Sequence, residues 1–355
     1  MKFERHPHGC LFLVGATAFQ HGRNLRVSLQ SVHSFKNSVD IGGEMCYFIC
    51  CGKSLGLSEA GPMARAGRGP PMFVSDGWTD YQLLDAANGR RLERWGGVVL
   101  SRPDPQVIWR APLAHEGWQN CDGEYIRQGG GGHWRWRCQP EPWPIGYRDL
   151  TFRIKPTDFK HTGLFPEQAH NWDRMTALIQ KRERPVKLLN LFAYTGGATV
   201  AAAAAGAEVT HVDAAKGMVA WARENAALSG LSDRPVRWIV DDCAKFVARE
   251  VRRGKRYDAI AMDPPSYGRG PGGEVWKLED RIYDFLQSCR PLLSDDPCFV
   301  LLNAYTTGLA PGILQTMLSL VFAGGHCESG ELGLPIASTG LVLPAGACCW
   351  WRPYD

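Results

Sequence analysis

The sequence predicts an α/β protein whose larger part is a doubly wound, seven-stranded parallel sheet with an antiparallel hairpin at one edge. Two observations predict it. From Leu188 to Val321, short apolar strand segments alternate with helical ones, and within one sheet that alternation implies right-handed crossovers. The last two strand segments, His326–Leu332 and Leu341–Trp351, are joined by a loop with no helix, so they are expected to run antiparallel. A β-rich stretch with its own turn signals comes earlier, which divides the chain into an extension (1–71), a small β-rich domain (72–157) and an α/β domain (158–355).

Composition is globular, with 45% hydrophobic and 21% charged residues. The net charge of +4 is concentrated at the start: residues 1–71 hold eight Lys/Arg and four Asp/Glu, leaving 32 of each sign in 72–355. Net charge therefore gives no argument for nucleic acid in the α/β part. Twelve cysteines are scattered without a CxxC pair or zinc-like spacing. They read as reduced thiols of a cytoplasmic protein. No secretory signal is present and no uninterrupted apolar run reaches about 20 residues, so no membrane association is expected.

Residues 1–71 show weak periodicity and end in GPMARAGRGPP, a linker composition. They are expected to be an extension without a stable fold; a small domain is the alternative. From Tyr81 to Thr157 the chain reads as strands, with Asn88-Gly89 as a hairpin turn and further strands near Gln106–Trp109, Gly123–Arg127, His133–Arg137 and Arg148–Ile154. Seven of the thirteen tryptophans lie between 78 and 143. They build the core of a sheet poor in aliphatics or, alternatively, stack on unpaired bases.

In the α/β part, Leu188–Phe192 is a buried strand, Ala193–Gly197 a loop, and the alanine run Ala198–Ala205 a helix by propensity, stopped by Gly206. Glu208–Val212 follows and ends on Asp213. Such a β-loop-α-β unit binds an adenosine-bearing cofactor, the acid accepting from ribose hydroxyls. Strands at Val236–Val240, Tyr257–Met262 and Cys298–Leu302 then end on Asp241-Asp242, Asp263-Pro264-Pro265-Ser266-Tyr267 and Asn303-Ala304-Tyr305. Ligands of open α/β sheets sit at these carboxyl ends. One acid there is commonly just a helix cap. Several in succession point to one bound molecule. The two prolines stiffen the turn after Asp263, so that its oxygens can accept from an amino group while Tyr267 offers a face for a planar ring. Lack of GxGxxG counts against a nicotinamide or flavin enzyme.

From about Trp78 onward, roughly 280 of the 355 residues, the chain resembles a class I S-adenosylmethionine-dependent methyltransferase with a Rossmann-like sheet. It is similar to the bacterial large-subunit rRNA methyltransferases that modify cytosine C5 or guanine N7. The motifs are KHTGLFPEQAHN (Lys160–Asn171), Ala193–Gly197, Asp213, Asp242 and DPPSYG (Asp263–Gly268). The resemblance implies S-adenosyl-L-methionine as cofactor and RNA as partner. Ala193, Tyr194, Thr195 and Gly196 would wrap its methionine part, Asp213 hold its ribose, Asp242 its adenine amino group, and Phe165 and Gln168 close over it. Asp263, Pro264, Pro265 and Tyr267 would hold the target base as the catalytic set, and no metal is implied. Methylation of cytosine C5 needs a thiolate that adds to C6. In the cytosine enzymes a cysteine stands after the fourth or fifth strand, where this chain has Ser266 and Asn303-Ala304-Tyr305; Cys243 and Cys289 fall on helices. A nitrogen acceptor is the better expectation. Other readings are a protein or small-molecule acceptor, or a non-catalytic cofactor-binding module beside RNA.

Overall fold

A computed structural model of the chain describes residues 71–354 apart from 114, 130, 270–274 and 307, with the backbone of four short strands before them. The chain divides into two units, Met1–Gly67 and Arg68–Asp355. In the first, β1 (Lys2–Arg5) pairs antiparallel with β2 (Leu11–Val14), and β3 (Ser38–Ile41) with β4 (Glu44–Tyr47). The expected lack of a stable fold in 1–71 otherwise lies outside the described residues.

The second unit opens with β5 (Met72–Val74) and an antiparallel run β6 (Tyr81–Ala87), β7 (Arg90–Trp95) and β8 (Val98–Pro103). A short helix, α1 (Gly117–Asn120), leads to β9 (Gly123–Gln128), parallel to β8, and then to β10 (Gly131–Trp136). Asn88 and Gly89 both take positive φ, 53° and 78°, as the tight β6–β7 turn requires. A separate hairpin, β11 (Trp143–Tyr147) and β12 (Leu150–Ile154), closes the β-rich part.

Gln106–Trp109 is not the strand its sequence predicts. Pro103 and Pro105 remove donors beside it, Asp104 takes the Gln106 N–H at 2.9 Å, and the Val107 and Trp109 carbonyls accept from Gly89 and Asn88. The segment thus wraps the β6–β7 turn outside any ladder. The tryptophans build structure. Trp95 is buried, and the indole N–H groups of Trp78, Trp109, Trp118, Trp134 and Trp143 donate to backbone carbonyls or, for Trp118, to Asp85.

The α/β part follows as α2 (Ala169–Gln180), β13 (Lys187–Leu191), α3 (Gly197–Ala204), β14 (Glu208–Asp213), α4 (Lys216–Leu228), β15 (Val236–Val240) and α5 (Cys243–Arg252). Next come β16 (Ala259–Met262), a small hairpin of β17 (Tyr267–Arg269) and β18 (Val275–Lys277), α6 (Leu278–Cys289), β19 (Phe299–Ala304), α7 (Pro311–Val321), β20 (Gly325–Pro335) and β21 (Val342–Pro353). The sheet order is β15-β14-β13-β16-β19-β21-β20-β5. Strands β13 to β16 and β19 are parallel, and β21 is antiparallel to both its neighbours, which realises the terminal hairpin.

The sheet has eight strands rather than seven, because β5 adds in parallel to β20. An edge strand has unpaired backbone groups to satisfy, and three residues are too few to show a period in sequence. Gly330 makes room: a Cβ there would lie 2.2 Å from the Pro71 carbonyl oxygen. Leu188 and Leu189 show why the strands read as continuous apolar runs. They point into opposite cores, one shared with α2 to α4 and the β-rich part, the other with α5 to α7. Truncating either leucine to alanine should cost about 2–5 kcal/mol. The first core joins Trp95, Ile145 and Phe152 to Leu188 and Trp350, so one core crosses residue 157. Among the described residues no helix is long and apolar enough to cross a membrane.

Candidate functional site

Strand register sets the site. Leu191 pairs with Val212 on one side and Met262 on the other, and Met262 with Leu302. The residues just beyond, Phe192, Asp213 and Asp263, therefore emerge level at one edge. They open into a cleft of about 760 Å³, within the range of small-molecule sites. Its walls carry Phe165, Tyr194, Asp213, Asp242, Asp263, Pro264 and Pro265. A smaller chamber of about 50 Å³ shares Phe165, Phe192, Tyr194 and Asp263 with it and is further lined by Gln168, Ala193 and Thr195.

The loop after β13 is wound tightly. Phe192 and Tyr194 hold positive φ of 54° and 50°, a conformation that non-glycine residues keep only when neighbours enforce it. The enforcing contacts are hydrogen bonds: Phe192 N to Cys243 Sγ at 3.3 Å, Ala193 N to the Val212 carbonyl at 3.0 Å, and Tyr194 N to Asp213 Oδ2 at 2.8 Å. The Thr195 hydroxyl donates to the Gly163 carbonyl, which ties the loop to the KHTGLFPEQAHN segment. Gly196 lines neither space. It caps α3 at φ 81°, and a Cβ there would lie 2.8 Å from that of Ala222, so it lets α3 approach α4.

Each acid is held differently. Asp213 accepts from the N–H groups of Tyr194 and Ala215, both at 2.8 Å, and burial raises its carboxyl above the ordinary range. Each of its oxygens keeps a second lone pair for a ligand. Asp242 is the N-cap of α5, its Oδ1 accepting from Lys245 N at 2.9 Å. The cap and the cleft wall are thus one residue. Asp263 is pushed up to about 7, first by burial and then by the charge of Glu167.

Phe165 packs against Tyr194 and Tyr305 with ring centroids 5.5 and 5.6 Å away. Gln168 donates to the Tyr305 hydroxyl at 2.7 Å and accepts from Asn171 at 2.8 Å, so its amide is committed to a buried network. Tyr267 does not join the cleft. Ser266, just before β17, and Gly268 within it line the space, while Tyr267 between them is 54% exposed outside it. Sequence reasoning missed Arg91, Asp104, Lys160, His161, Glu167 and Trp276 in the wall. Burial, followed by the charges of Arg102, Lys160 and Arg91, lowers His161 to about 4, so its imidazole is neutral. Only Lys160, His161 and Glu167 carried a signal, as part of the motif.

The family model described as S-adenosylmethionine-dependent methyltransferase matches residues 121–286. The crystal structure of a SAM-dependent methyltransferase from Agrobacterium tumefaciens is 39% identical, with a TM-score of 0.76 over 82% of this chain and 98% of that one. A SAM-dependent methyltransferase structure from Streptococcus mutans, 18% identical over 78% and 76% of the two chains, shares the fold with a TM-score of 0.61. The ribosomal RNA large subunit methyltransferase K/L of Methylococcus capsulatus is 34% identical over 170 residues, 48% of this chain. The chain spans only 21% of that relative's length and 16% of its Shewanella baltica counterpart's. The match over nearly the whole of the Agrobacterium enzyme, with the sheet order and the acids at its strand ends, means that this chain belongs to the S-adenosylmethionine-dependent methyltransferases.

Proposed function

We propose that this chain methylates a base of ribosomal RNA, at a ring or exocyclic nitrogen rather than at carbon 5 of cytosine. The residues present suit the cofactor: a cleft of small-molecule size, and in Asp213 a carboxylate with acceptor capacity to spare. Asp213 would hold the ribose hydroxyls, Asp242 the adenine amino group, and Ala193, Tyr194 and Thr195 the methionine part, with Phe165 and Gln168 beside it. Gly196 would act by shaping that loop. The bound cofactor supplies a methyl group on a sulfonium. Its leaving group needs no proton, so the chain's own contribution is mainly to position the acceptor.

Asp263, Pro264 and Pro265 would hold the target base. At about 7, Asp263 is poised near neutrality to accept the proton that a methylated nitrogen gives up. Tyr267, facing away from the cleft, would serve the RNA strand. The β-rich part (72–157) would form the acceptor wall through Arg91, Asp104 and Ile108, with 158–355 holding the cofactor and 1–71 dispensable. An rRNA substrate would place the enzyme in the cytoplasm.

The observation that carries the nitrogen reading is the state of the cysteines. Among the described residues Cys243 alone lines the cleft. It is 3% exposed, accepts from the Phe192 N–H, and burial pushes its thiol far up, the opposite of an attacking thiolate. The rRNA acceptor is supported by the names of the Methylococcus and Shewanella relatives. A protein or small-molecule acceptor is the second reading, favoured by tryptophans that are committed to packing. The test is to incubate the protein with transcribed large-subunit rRNA, total protein and labelled methyl donor. Mass spectrometry of the nucleosides should find an N-methylated base. Finding 5-methylcytosine would refute the nitrogen acceptor, and label confined to protein would favour the second reading.

A further inference from the structure

Arg91 on β7 and Glu167 in the 3-10 turn Pro166–Gln168 are distant in sequence but line the same cleft. Both are buried, at 8% and 2% exposure. Glu167 Oε2 has no hydrogen-bond partner, and neither has Arg91 Nε. Arg91 Nε lies 3.4 Å from Glu93 Oε1 and 3.6 Å from Asp104 Oδ2, near enough for attraction but without a hydrogen bond. A buried carboxylate oxygen and a buried guanidinium N–H left unserved each destabilise the protein by about 1–3 kcal/mol. Native proteins rarely keep such groups without a use.

The arrangement is also braced. The Ser75 hydroxyl donates to the Glu167 carbonyl at 2.7 Å, and the Trp78 indole to the Pro166 carbonyl at 2.9 Å. The turn that carries Glu167 is thus fixed by residues just after β5. The same wall carries Asp263 and Tyr305, whose hydroxyl accepts from Gln168 at 2.7 Å and is hydrogen-bonded to the Glu167 carboxyl, leaving Glu167 Oε2 as the unserved oxygen. Two carboxyls facing one space, Glu167 buried and Asp263 half-buried, favour an occupant that brings N–H groups, and a guanidinium beside them favours one that also brings an acceptor atom.

We propose that Glu167 and Arg91 read the acceptor: Glu167 accepts from an N–H of the target base while Arg91 donates to the neighbouring ring nitrogen or carbonyl oxygen. This rests on the RNA reading above and assigns specificity to two residues outside the Asp-Pro-Pro turn. On this assignment both residues contact the acceptor and not the cofactor, so acceptor turnover and cofactor affinity should separate.

The experiment compares the wild-type chain with Glu167→Gln, Glu167→Asp and Arg91→Lys on transcribed large-subunit rRNA. It measures kcat and KM for the transcript, S-adenosylmethionine affinity by calorimetry, and the thermal midpoint. Losing a hydrogen bond to a charged group should lower kcat/KM for Glu167→Gln by roughly 10- to 100-fold. Glu167→Asp should recover part of that loss. Cofactor affinity should stay within about threefold, the difference a purely structural role would not produce. If the Arg91 variant fails to fold, the Glu167 pair decides alone. Turnover of Glu167→Gln within threefold of wild type overturns the proposal, and so does a loss matched by an equal loss of cofactor affinity. Absence of RNA methylation by the wild type overturns the RNA reading itself, and the inference with it.

Discussion

Glu93, in the five-stranded sheet, accepts from Arg102 Nε and Nη2 at 2.6 and 2.8 Å and from the Tyr81 hydroxyl at 2.8 Å. Glu167, in the cleft wall, is as deeply buried and has an oxygen with no partner at all. Burial pushes both carboxyls up. For Glu93 the guanidiniums of Arg102 and Arg91 more than offset it and hold the group below the ordinary range, whereas Glu167 stays above it. Both regions bury charge, but only one completes its hydrogen bonds internally. The satisfied carboxylate fastens β6, β7 and β8 to one another and, through Arg102 Nη1 and the Lys160 carbonyl at 2.8 Å, to the motif segment. The unsatisfied one stands where an acceptor can enter. Incomplete pairing, rather than burial, separates the functional acid from the architectural one.

The largest effect should come from breaking the satisfied pair. Arg102→Ala leaves Glu93 buried and uncompensated and should lower stability by about 3–5 kcal/mol in urea unfolding. The sign with pH follows from the depressed carboxyl. In the wild type this contribution is present above the ordinary glutamate range and is lost as pH falls through the folded-state pKa, which lies below it. A variant as stable as wild type would mean that Glu93 is not held by its ion pairs.

Asp213 lies between the two extremes, with two backbone donors and spare acceptor capacity. Asp213→Ala should weaken S-adenosylmethionine binding by roughly 30- to 100-fold, the loss of charged hydrogen bonds, measured by calorimetry. An unchanged affinity would remove Asp213 from the cofactor site.

Asp263 tests the unsatisfied side. Its folded pKa, about 7, lies above the ordinary 3.8, so its effect on stability is most favourable below 3.8 and declines as pH rises through 7. Asp263→Asn should therefore stabilise the cofactor-free protein at pH 8, by about 2 kcal/mol once water in the open cleft is allowed for. The gain should vanish near pH 4, and methyl transfer should be lost. Equal thermal shifts at the two pH values would show that Asp263 is not strained by burial.

The smallest effect is expected outside the cleft. Tyr267→Ala should leave kcat within twofold and raise KM for RNA about fivefold, the low end of base stacking. A collapse of kcat would return Tyr267 to the reacting base. Initial rates over a range of RNA concentrations separate the two.

Much of the fold was legible because it is written in local patterns. The apolar runs Leu188–Leu191, Val209–Val212 and Phe299–Leu302 name parallel strands buried on both faces, and Asn88-Gly89 names a turn. The acids at the strand ends were legible for the same reason: each stands at a fixed place relative to its own strand, and the order of strands brings them to one edge. The errors fall where long-range contacts prevail. Gln106–Trp109 has strand composition but wraps a turn, and Met72–Val74 joins a strand more than two hundred residues later.

By itself, then, the sequence determined seven of the eight strands, an adenosine-cofactor unit and the residues just past each strand, because periodicity and turn chemistry act over a few residues. The resemblance of its motifs to a known family named the cofactor. Only the tertiary structure decided that Gly196 is a packing glycine and that Tyr267 faces outward. Tertiary structure alone also decided that Glu93 is satisfied while Glu167 is not. Whether a buried polar group finds a partner depends on side chains brought together from distant parts of the chain, and no local pattern encodes it.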